Sequence, residues 1–272
     1  MGQEEKMEVV RRPACPGVQL VRVSGSARAW SHVNGTFSFS CASDWSGRVD
    51  YRRHHVALAK GDTFLFEPGE FYEATPSDGK AGSFRVVELE VETLEALCRV
   101  EGHSGPIHFS ETTIGAASPL AAVLSELEEA LLSDAEPLEL QSQAAILANA
   151  AISTVLEPTV RRERRHPVPL GCCERLRDVL HSPEGAQLNL TEFAQQAGLS
   201  QYRLLRAFKR RYGAPPHAYG LHVRIERARQ MLHQGYSAAE AAAANHFADQ
   251  SHFTRHFRRI WRIPPGQYAA RL

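Results

Sequence analysis

Five residues occur twice in this sequence, always 49 positions apart. The pairs are Arg206 and Arg255, Phe208 and Phe257, Pro215 and Pro264, Pro216 and Pro265, and Tyr219 and Tyr268. An arginine guanidinium carries five N–H donors in a planar fork, which suits the paired acceptors of a phosphate or a nucleic-acid base. The repeat therefore indicates two surfaces with the same binding chemistry in one short stretch of chain.

Each copy is predicted to lie on a helix that follows a shorter helix and a turn. In the first copy, residues 190–197 form the short helix and residues 201–212 the longer one. Between them, Gly198 can adopt a left-handed backbone at low cost, and Ser200 can cap the longer helix. Both copies are therefore predicted to be helix-turn-helix units.

The longer helix of the first copy has two distinct faces. Leu204 and Phe208, spaced i, i+4, are expected to point into the core. The outward face consists of Tyr202, Leu205, Arg206 and Lys209. Because this face holds a tyrosine, a leucine and no acidic residue, it differs from an ordinary solvated surface, and we expect it to bind another molecule.

The second copy, residues 249–261, repeats the arrangement with Phe253 and Phe257 inward. Its outward side consists of Gln250, Ser251, Thr254, Arg255 and Arg258. A predicted helix at 217–234 separates the copies and would be ~27 Å long at ~1.5 Å per residue. Successive major grooves on one side of DNA lie ~34 Å apart, so this spacer could set the two helices into adjacent grooves.

The formal net charge of zero hides an asymmetry between the halves of the chain. Residues 1–160 contain 12 Lys and Arg against 23 Asp and Glu, whereas residues 161–272 contain 19 against 8. A compact domain of net charge +11 favours a polyanionic partner. Opposite charges also help two domains to dock on each other, and both interpretations stay open at this point.

Two segments extend well beyond the repeated residues: AQQAGLSQYRLLRAFKRRYGAPPHAYGLHVRIERARQML and HFADQSHFTRHFRRIWRIPPGQY. They resemble the DNA-binding domain of AraC/XylS-family transcriptional regulators, and the resemblance covers about residues 170–272 with both helix-turn-helix units. It implies a sequence-specific regulator that binds double-stranded promoter or operator DNA.

The resemblance also implies roles for the outward residues. Base contacts are implied for Tyr202, Leu205 and Arg206 in the first unit and for Gln250, Ser251, Thr254 and Arg255 in the second. Phosphate contacts are implied for Lys209, Arg258 and Arg259. Arg can bond guanine, Gln can bond adenine, and leucine or the threonine methyl can pack on a thymine methyl. For Arg206 and Arg255 the alternative is a salt bridge within the domain.

The second unit departs from the family at three positions. The family usually has Ile where this chain has Ala238 and Ala241, and Gly where it has His246. If the turn at His246 uses a left-handed backbone, its Cβ costs ~1 kcal/mol that glycine avoids.

Residues 18–100 are predicted to be β structure. Phe37, Phe39 and Cys41 alternate with small polar residues, which is typical of a half-buried strand. Short strands separated by Gly, Pro and Asp turns favour a sandwich or small barrel, and this segment resembles the cupin-type sensor barrels of bacterial regulators. The predicted fold is α+β: a cupin-like effector-binding and dimerisation domain at 1–158, a linker at 159–170 and an all-α DNA-binding domain at 171–272.

Six aromatic residues are candidates for an apolar effector pocket inside the barrel. They are Trp30, Phe37, Phe39, Phe64, Phe66 and Tyr72. Each of them could instead only pack the core. The predicted partner is a small-molecule effector.

Two helices are predicted after the barrel. The first begins at Ser118-Pro119, and its apolar stripe consists of Leu120, Val123, Leu124, Leu127 and Leu131. The second runs from about Leu140 to Leu156. The stripes could cover the open face of the barrel or join two subunits.

A metal-dependent cupin enzyme is the main rival to a regulator. His54 and His55 are adjacent on a strand, so they cannot both enter one pocket. Tyr72 stands where metal-binding cupins often have a histidine. We therefore predict no metal, no cofactor and no catalytic residue. A regulator controlled by a protein partner, without a small ligand, is the third class.

Cellular context also follows from the sequence. The five cysteines form no CxxC pair, and the first residues lack the apolar core of a secretory signal. We expect a cytoplasmic homodimer that binds DNA and possesses a surface for RNA polymerase, and we expect no membrane association.

Overall fold

The computed structural model describes residues 5–52, 54–77, 80–100, 103, 106–133, 135–154, 170–182, 185 and 188–272. The linker predicted at 159–170 therefore lies outside the described residues except at its last position. Among the helices in these ranges, none combines the length and the apolar character that a membrane crossing requires.

The N-terminal half contains two antiparallel sheets. The strands are β1 (Lys6–Arg11), β2 (Val18–Ser26), β3 (Trp30–Val33), β4 (Phe37–Ala42), β5 (Gly47–Tyr51), β6 (His54–Leu58), β7 (Thr63–Phe66), β8 (Phe71–Pro76), β9 (Gly82–Leu89) and β10 (Thr113–Ile114). One sheet has the order β1-β2-β9-β4-β7-β10 and the other β3-β8-β5-β6. This confirms the β-rich first domain.

Three helices complete this half: α1 (Val91–Val100), α2 (Pro119–Leu132) and α3 (Pro137–Thr154). The leucine stripe of α2 packs on the first sheet, since Leu120, Leu127 and Leu131 share one core with Phe37 and Phe39. The helices therefore cover the barrel, which was one of the two interpretations of their stripes. The outer side still exposes Leu138 and Ile146.

Three elements of this half were not predicted, and one of them is the two-residue strand β10. Strand β1 pairs with β2 throughout its length and buries Met7 and Val9, but its alternation is too short to be distinctive. Helix α1 follows β9 without a turn signal, so residues 91–100 were wrongly included in the β region. The reason is that α1 is short and begins at Val91, the last residue of the alternating segment FRVVELEV, so the strand pattern continues into the helix.

The C-terminal half is helical. Its helices are α4 (Leu170–Leu180), α5 (Leu190–Gln196), α6 (Gln201–Tyr212), α7 (Pro216–His233), α8 (Ala238–Ala244), α9 (Gln250–Trp261) and α10 (Pro265–Ala269). Helices α5 and α6 form the first helix-turn-helix unit, and α8 and α9 form the second. Each unit's bounds agree with the prediction to within one or two residues, and only the short α10 was missed.

The repeated Pro-Pro-x-x-Tyr sequence begins a helix in each copy. Pro215 and Pro264 occupy the N-cap positions of α7 and α10, where the missing N–H costs nothing. Tyr219 and Tyr268 follow within the first turn, and both are completely buried. Their hydroxyls bond a histidine in each case, His181 at 2.8 Å and His233 at 2.7 Å.

The two turns differ in length and in strain. The first has Gly198 at φ 66° and the second His246 at φ 54°, each directly after the C-cap of the short helix. The second turn is one residue longer, since its C-cap Asn245 and N-cap Asp249 are four positions apart. His246 thus has the left-handed backbone that was considered from the sequence.

The second unit docks on the barrel. Ile225, Phe257 and Trp261 share one hydrophobic cluster with Met7 and Val21 of the first sheet. The two halves of the chain therefore possess a common core at this interface.

A buried ion cluster lies beside that shared core. Arg229 on α7 is 1% exposed and donates to Glu226 at 2.9 Å and to Glu88 of β9 at 3.0 Å. It also donates to the hydroxyl of Tyr268 at 3.2 Å. Nε2 of His32, on β3, lies 3.3 Å from the same Glu226 oxygen. The cluster thus joins the barrel to the helical domain by hydrogen bonds between oppositely charged groups.

The first unit makes its own contact with the barrel. The hydroxyl of Tyr219 donates to the carbonyl of Gly69, in the turn between β7 and β8. Gly69 has φ 75°, which the Pro68-Gly69 turn requires. Both repeated tyrosines therefore act at the junction between the domains.

Replacing His246 with glycine is expected to stabilise the protein by a few tenths to ~1 kcal/mol, because glycine relieves the left-handed strain. The side chain of His246 is exposed, so its removal uncovers no core. Denaturant unfolding of the full chain measures the change.

Ala243→Gly, at an exposed site in α8, is the matched control and should destabilise by ~1 kcal/mol. A loss of stability in His246→Gly would show that the imidazole makes a stabilising contact and would contradict the strained turn.

Acid is expected to destabilise the protein through buried histidines. Burial, with His32 and Arg259 nearby, lowers the pKa of His222 to about 3, whereas an unfolded histidine has a pKa of ~6.5. Its stabilising effect is complete above pH ~6.5 and is lost as the pH falls toward the folded value. His222→Phe should reduce the pH dependence of the unfolding free energy in this range by up to ~1.4 kcal/mol per pH unit. An unchanged slope in urea titrations at several pH values would contradict this.

Candidate DNA-binding surface and effector cavity

The predicted base-contacting residues of the first unit lie on the open side of α6. Tyr202 is 66% exposed, and Arg206 is also exposed, with its guanidinium 5.6 Å from the centre of the Tyr202 ring. Leu205 is half-buried and Lys209 is exposed. No salt bridge of Arg206 is found among the described residues. The arrangement leaves an aromatic ring and two cations available to a ligand.

The sequence around α6 explains why this face is held rigidly. The Ser200 hydroxyl accepts from the Arg203 N–H at 3.3 Å, and Gly213 ends the helix at φ 81°. On the inward face, Leu204 and Phe208 are fully buried. Capping at both ends and two core anchors therefore fix the outward side chains.

The second unit presents its outward residues in the same way. Gln250, Ser251, Arg255, Arg258 and Arg259 are exposed, and Thr254 is half-buried. The Asp249 carboxylate caps the helix by accepting from the His252 N–H at 2.6 Å. Phe253 and Phe257 anchor the inward face with no exposed surface.

A groove runs along this face of α9 and continues onto the barrel. It contains five arginines and one glutamate: Arg28, Arg255, Arg258, Arg259, Arg262 and Glu5. Such an excess of guanidinium groups favours a polyanion by simple charge attraction. Arg262, at φ 62°, also donates to the Ala29 carbonyl, so it holds the groove's edge against the barrel.

The spacer between the units is α7, a helix of 18 residues. At ~1.5 Å per residue its length is ~27 Å. One side of the helix is buried through Ile225, Ala228 and Leu232. Another side is buried in the core of the first unit through Tyr219 and Val223. Because α7 belongs to the cores of both units, it sets their separation rigidly.

A largely apolar cavity lies between the two sheets, beside the second unit. It leaves about 60 Å³ for the centres of water-sized molecules, which is room for several waters at ~10–15 Å³ each. Four of the six predicted aromatic residues line it: Trp30, Phe64, Phe66 and Tyr72. Burial raises the pKa of Tyr72, so its hydroxyl stays protonated.

Phe37 and Phe39 do not line this cavity, which corrects their assignment to the pocket. They pack against Phe109 in the core beneath α2 and α3, with ring centres 5.6 Å apart. The alternation along β4 was predicted correctly, but the cavity faces the other side of the strand. The small residues Ser38 and Ser40 line it instead.

Several residues of the cavity were missed from the sequence. The polar ones include His32, Asn34 and Glu88, and the apolar ones include Trp45, Ile260 and Trp261. Ile260 and Trp261 end α9, more than 140 positions from the nearest barrel strand, β10. Glu88, one of two glutamates in the segment FRVVELEV, was the one available signal, because a buried carboxylate requires a partner.

The histidines considered for a metal site lie apart from the cavity. His54 and His55 are both exposed on β6, and Nδ1 of His55 lies 2.5 Å from Asp50. Within the described ranges, no three His, Cys, Asp or Glu side chains are grouped so that they could hold a metal ion.

Family models match both halves of the chain. The model described as "AraC-like ligand binding domain" matches residues 19–151, and the model described as "Helix-turn-helix domain" matches residues 193–271. The two matches correspond to the β domain with its helices and to the two helix-turn-helix units.

Two curated relatives are similar in sequence. The uncharacterized HTH-type transcriptional regulator YbfI of Bacillus subtilis (strain 168) is 26% identical over 192 residues, 71% of this chain and 69% of that protein. The HTH-type transcriptional regulator MtrA of Neisseria gonorrhoeae is 31% identical over 94 residues, 34% of this chain and 31% of that protein. The MtrA match thus spans about a third of each protein.

The fold is also similar to that of a solved regulator. ToxT from Vibrio cholerae O395 has a TM-score of 0.51 and 11% identity, with 98% of each chain covered. A ToxT structure described as unsaturated fatty acid bound, from strain SCE256, has a TM-score of 0.51 and 10% identity, with 99% of this chain and 96% of that chain covered. At this identity the likeness supports the two-domain fold alone. With both family models matched in order along one chain, the protein belongs to the AraC family of transcriptional regulators, with an N-terminal ligand-binding domain and a C-terminal helix-turn-helix DNA-binding domain.

Proposed function

We propose that α6 and α9 are the two recognition helices and that each reads base edges in a major groove. The observation that carries the proposal is the matched exposure of their outward faces. The base-contacting residues would be Tyr202, Leu205, Arg206, Gln250, Ser251, Thr254 and Arg255. Lys209, Arg258 and Arg259 would contact phosphates, which position the protein without reading sequence.

The length of α7 supports engagement of successive grooves by the two helices. Its ~27 Å, with the radii of the flanking helices added, is compatible with the ~34 Å between major grooves on one side of DNA. The two recognition helices of one chain would therefore lie about one turn of the duplex apart. The basic groove of α9 would follow the backbone at the second site.

The effector is proposed to act from the cavity between the sheets. Its wall includes Ile260 and Trp261, which end the second recognition helix. A small molecule in the cavity would therefore contact the barrel and α9 together. A ligand that binds more tightly when α9 is docked on the barrel increases the population of that conformation. The population of conformations that bind DNA changes with it.

A cytoplasmic homodimer is proposed as the active form. The exposed Leu138 and Ile146 on α3 supply apolar side chains on the outside of the barrel's helical cover. RNA polymerase is the proposed further partner during activation. No catalytic role is assigned, and the family of regulators to which the chain belongs supports sensing over catalysis.

Arg206→Ala should lower affinity for the cognate site by ~1–3 kcal/mol and relax the preference at one base pair, because a bidentate base contact is lost. The full-length protein first selects its site from a random duplex pool. Fluorescence anisotropy with single-base-pair variants of that site then measures the preference.

Lys209→Ala is the matched control from the same face of α6. It should weaken binding to all sequences about equally and reduce the salt dependence by about one counterion. If Arg206→Ala also weakens all sequences equally, Arg206 contacts phosphate and the proposed division of roles is wrong.

A further inference from the structure

All three tryptophans of the chain line the same cavity. Trp30 and Trp45 come from the barrel, and Trp261 comes from the end of α9. Each is more than nine-tenths buried. An indole ring is apolar except for its single N–H donor, so three of them give a cavity that prefers apolar rings but can donate hydrogen bonds.

The indole donors differ in how they are satisfied. Trp30 donates to the Ser26 hydroxyl at 2.8 Å. The Nε1 donors of Trp45 and Trp261 are buried and find no partner among the described residues. A buried donor without a partner destabilises a folded protein, and both of these donors belong to residues that line one cavity.

A third unsatisfied nitrogen belongs to His32. Its Nε2 lies 3.3 Å from a Glu226 oxygen and must donate to it, because a carboxylate only accepts. In the neutral ring, Nδ1 is then an acceptor, and it is buried without a partner in the described part of the chain. A hydroxyl group can accept from an indole N–H and donate to this nitrogen.

The remaining wall limits the charge and size of the occupant. Among the described residues, Glu88 lines the cavity and no lysine or arginine side chain does. A carboxylate ligand would therefore face a negative group and no cation from these residues. The space of about 60 Å³ for the centres of water-sized molecules suits one small ring. Aromatic side chains from β3, β7 and β8 surround that space.

Building on the ligand-sensing role proposed above, we propose that the cavity binds an uncharged single-ring molecule with a hydroxyl or carbonyl oxygen. That oxygen accepts from Nε1 of Trp45 and Trp261, and a ligand hydroxyl donates to Nδ1 of His32. Because Trp261 belongs to α9, the same hydrogen bond links the ligand to the second recognition helix.

Phenol is the probe for this proposal, with toluene as the isosteric ring without oxygen and benzoate as the anion. Titration of the full-length protein is followed by the three indole N–H signals in a nitrogen–proton correlation spectrum. Phenol is expected to shift the Trp45 and Trp261 signals strongly downfield as new hydrogen bonds form. The Trp30 signal should move less, because its donor already has a partner.

Two variants separate the hydrogen bonds from the shape of the cavity. Trp45→Phe and Trp261→Phe remove one N–H each and keep an aromatic ring. Each is expected to lower the preference for phenol over toluene about threefold to tenfold, the range for one net hydrogen bond, because both ligands meet the same change in cavity shape.

Equal affinity for phenol and toluene in the wild type would overturn the proposal, and so would tighter binding of benzoate or no binding of phenol at millimolar concentration. DNA binding is measured on the same samples without ligand. Loss of the phenol response with intact DNA binding refutes the ligand class alone, whereas absent DNA binding refutes the proposed function.

Discussion

The arrangement of this protein depends on one buried arginine. Arg229 is almost without solvent contact and is neutralised by Glu226 on its own helix and by Glu88 from the barrel. Burial alone would raise the pKa of Glu226, but Arg229 and His32 together lower it to about 2. An ionised side chain that is buried this completely is tolerated only when its charged partners are in place. Removing one partner of such a pair lowers the free energy of unfolding by ~3–5 kcal/mol. The docked position of the helical domain is therefore strongly specified.

The position of this cluster connects the proposed effector cavity with the second helix-turn-helix unit. Glu88 lines that cavity and bonds Arg229, and Arg229 in turn lies 4.7 Å from the centre of the Trp261 ring. The cavity, the spacer helix α7 and the proposed recognition helix α9 thus share a few contiguous side chains. The first unit contacts the barrel elsewhere, through Tyr219 and the Gly69 carbonyl and through Val33, which belongs to its core. A ligand in the cavity is closer in structural terms to the second unit than to the first.

The helical domain could be predicted from the sequence because its determinants are local. Apolar spacing, the N-cap residues Ser200 and Asp249 and the repeated Pro-Pro-x-x-Tyr define the helices within a few residues of chain. Even the left-handed His246 was indicated by comparison with Gly198. The cavity could be predicted only in part, since strand alternation gives two faces and does not tell which one meets the helices. Phe37 and Phe39 were misassigned for this reason. The junction was not predictable, because Glu88 and Arg229 are 141 positions apart.

The central claim is that Glu88 and Arg229 join the barrel to the second unit energetically. A double-mutant cycle with Glu88→Gln and Arg229→Met, measured by denaturant unfolding of the full-length protein, tests it most directly. We expect a coupling energy of ~1–3 kcal/mol, because Arg229→Met leaves the Glu88 carboxylate without its cation only when Glu88 is present, whereas the loss at Glu226 is common to both backgrounds and cancels. Changes that add within ~0.5 kcal/mol would show that the two side chains act independently and would contradict the account.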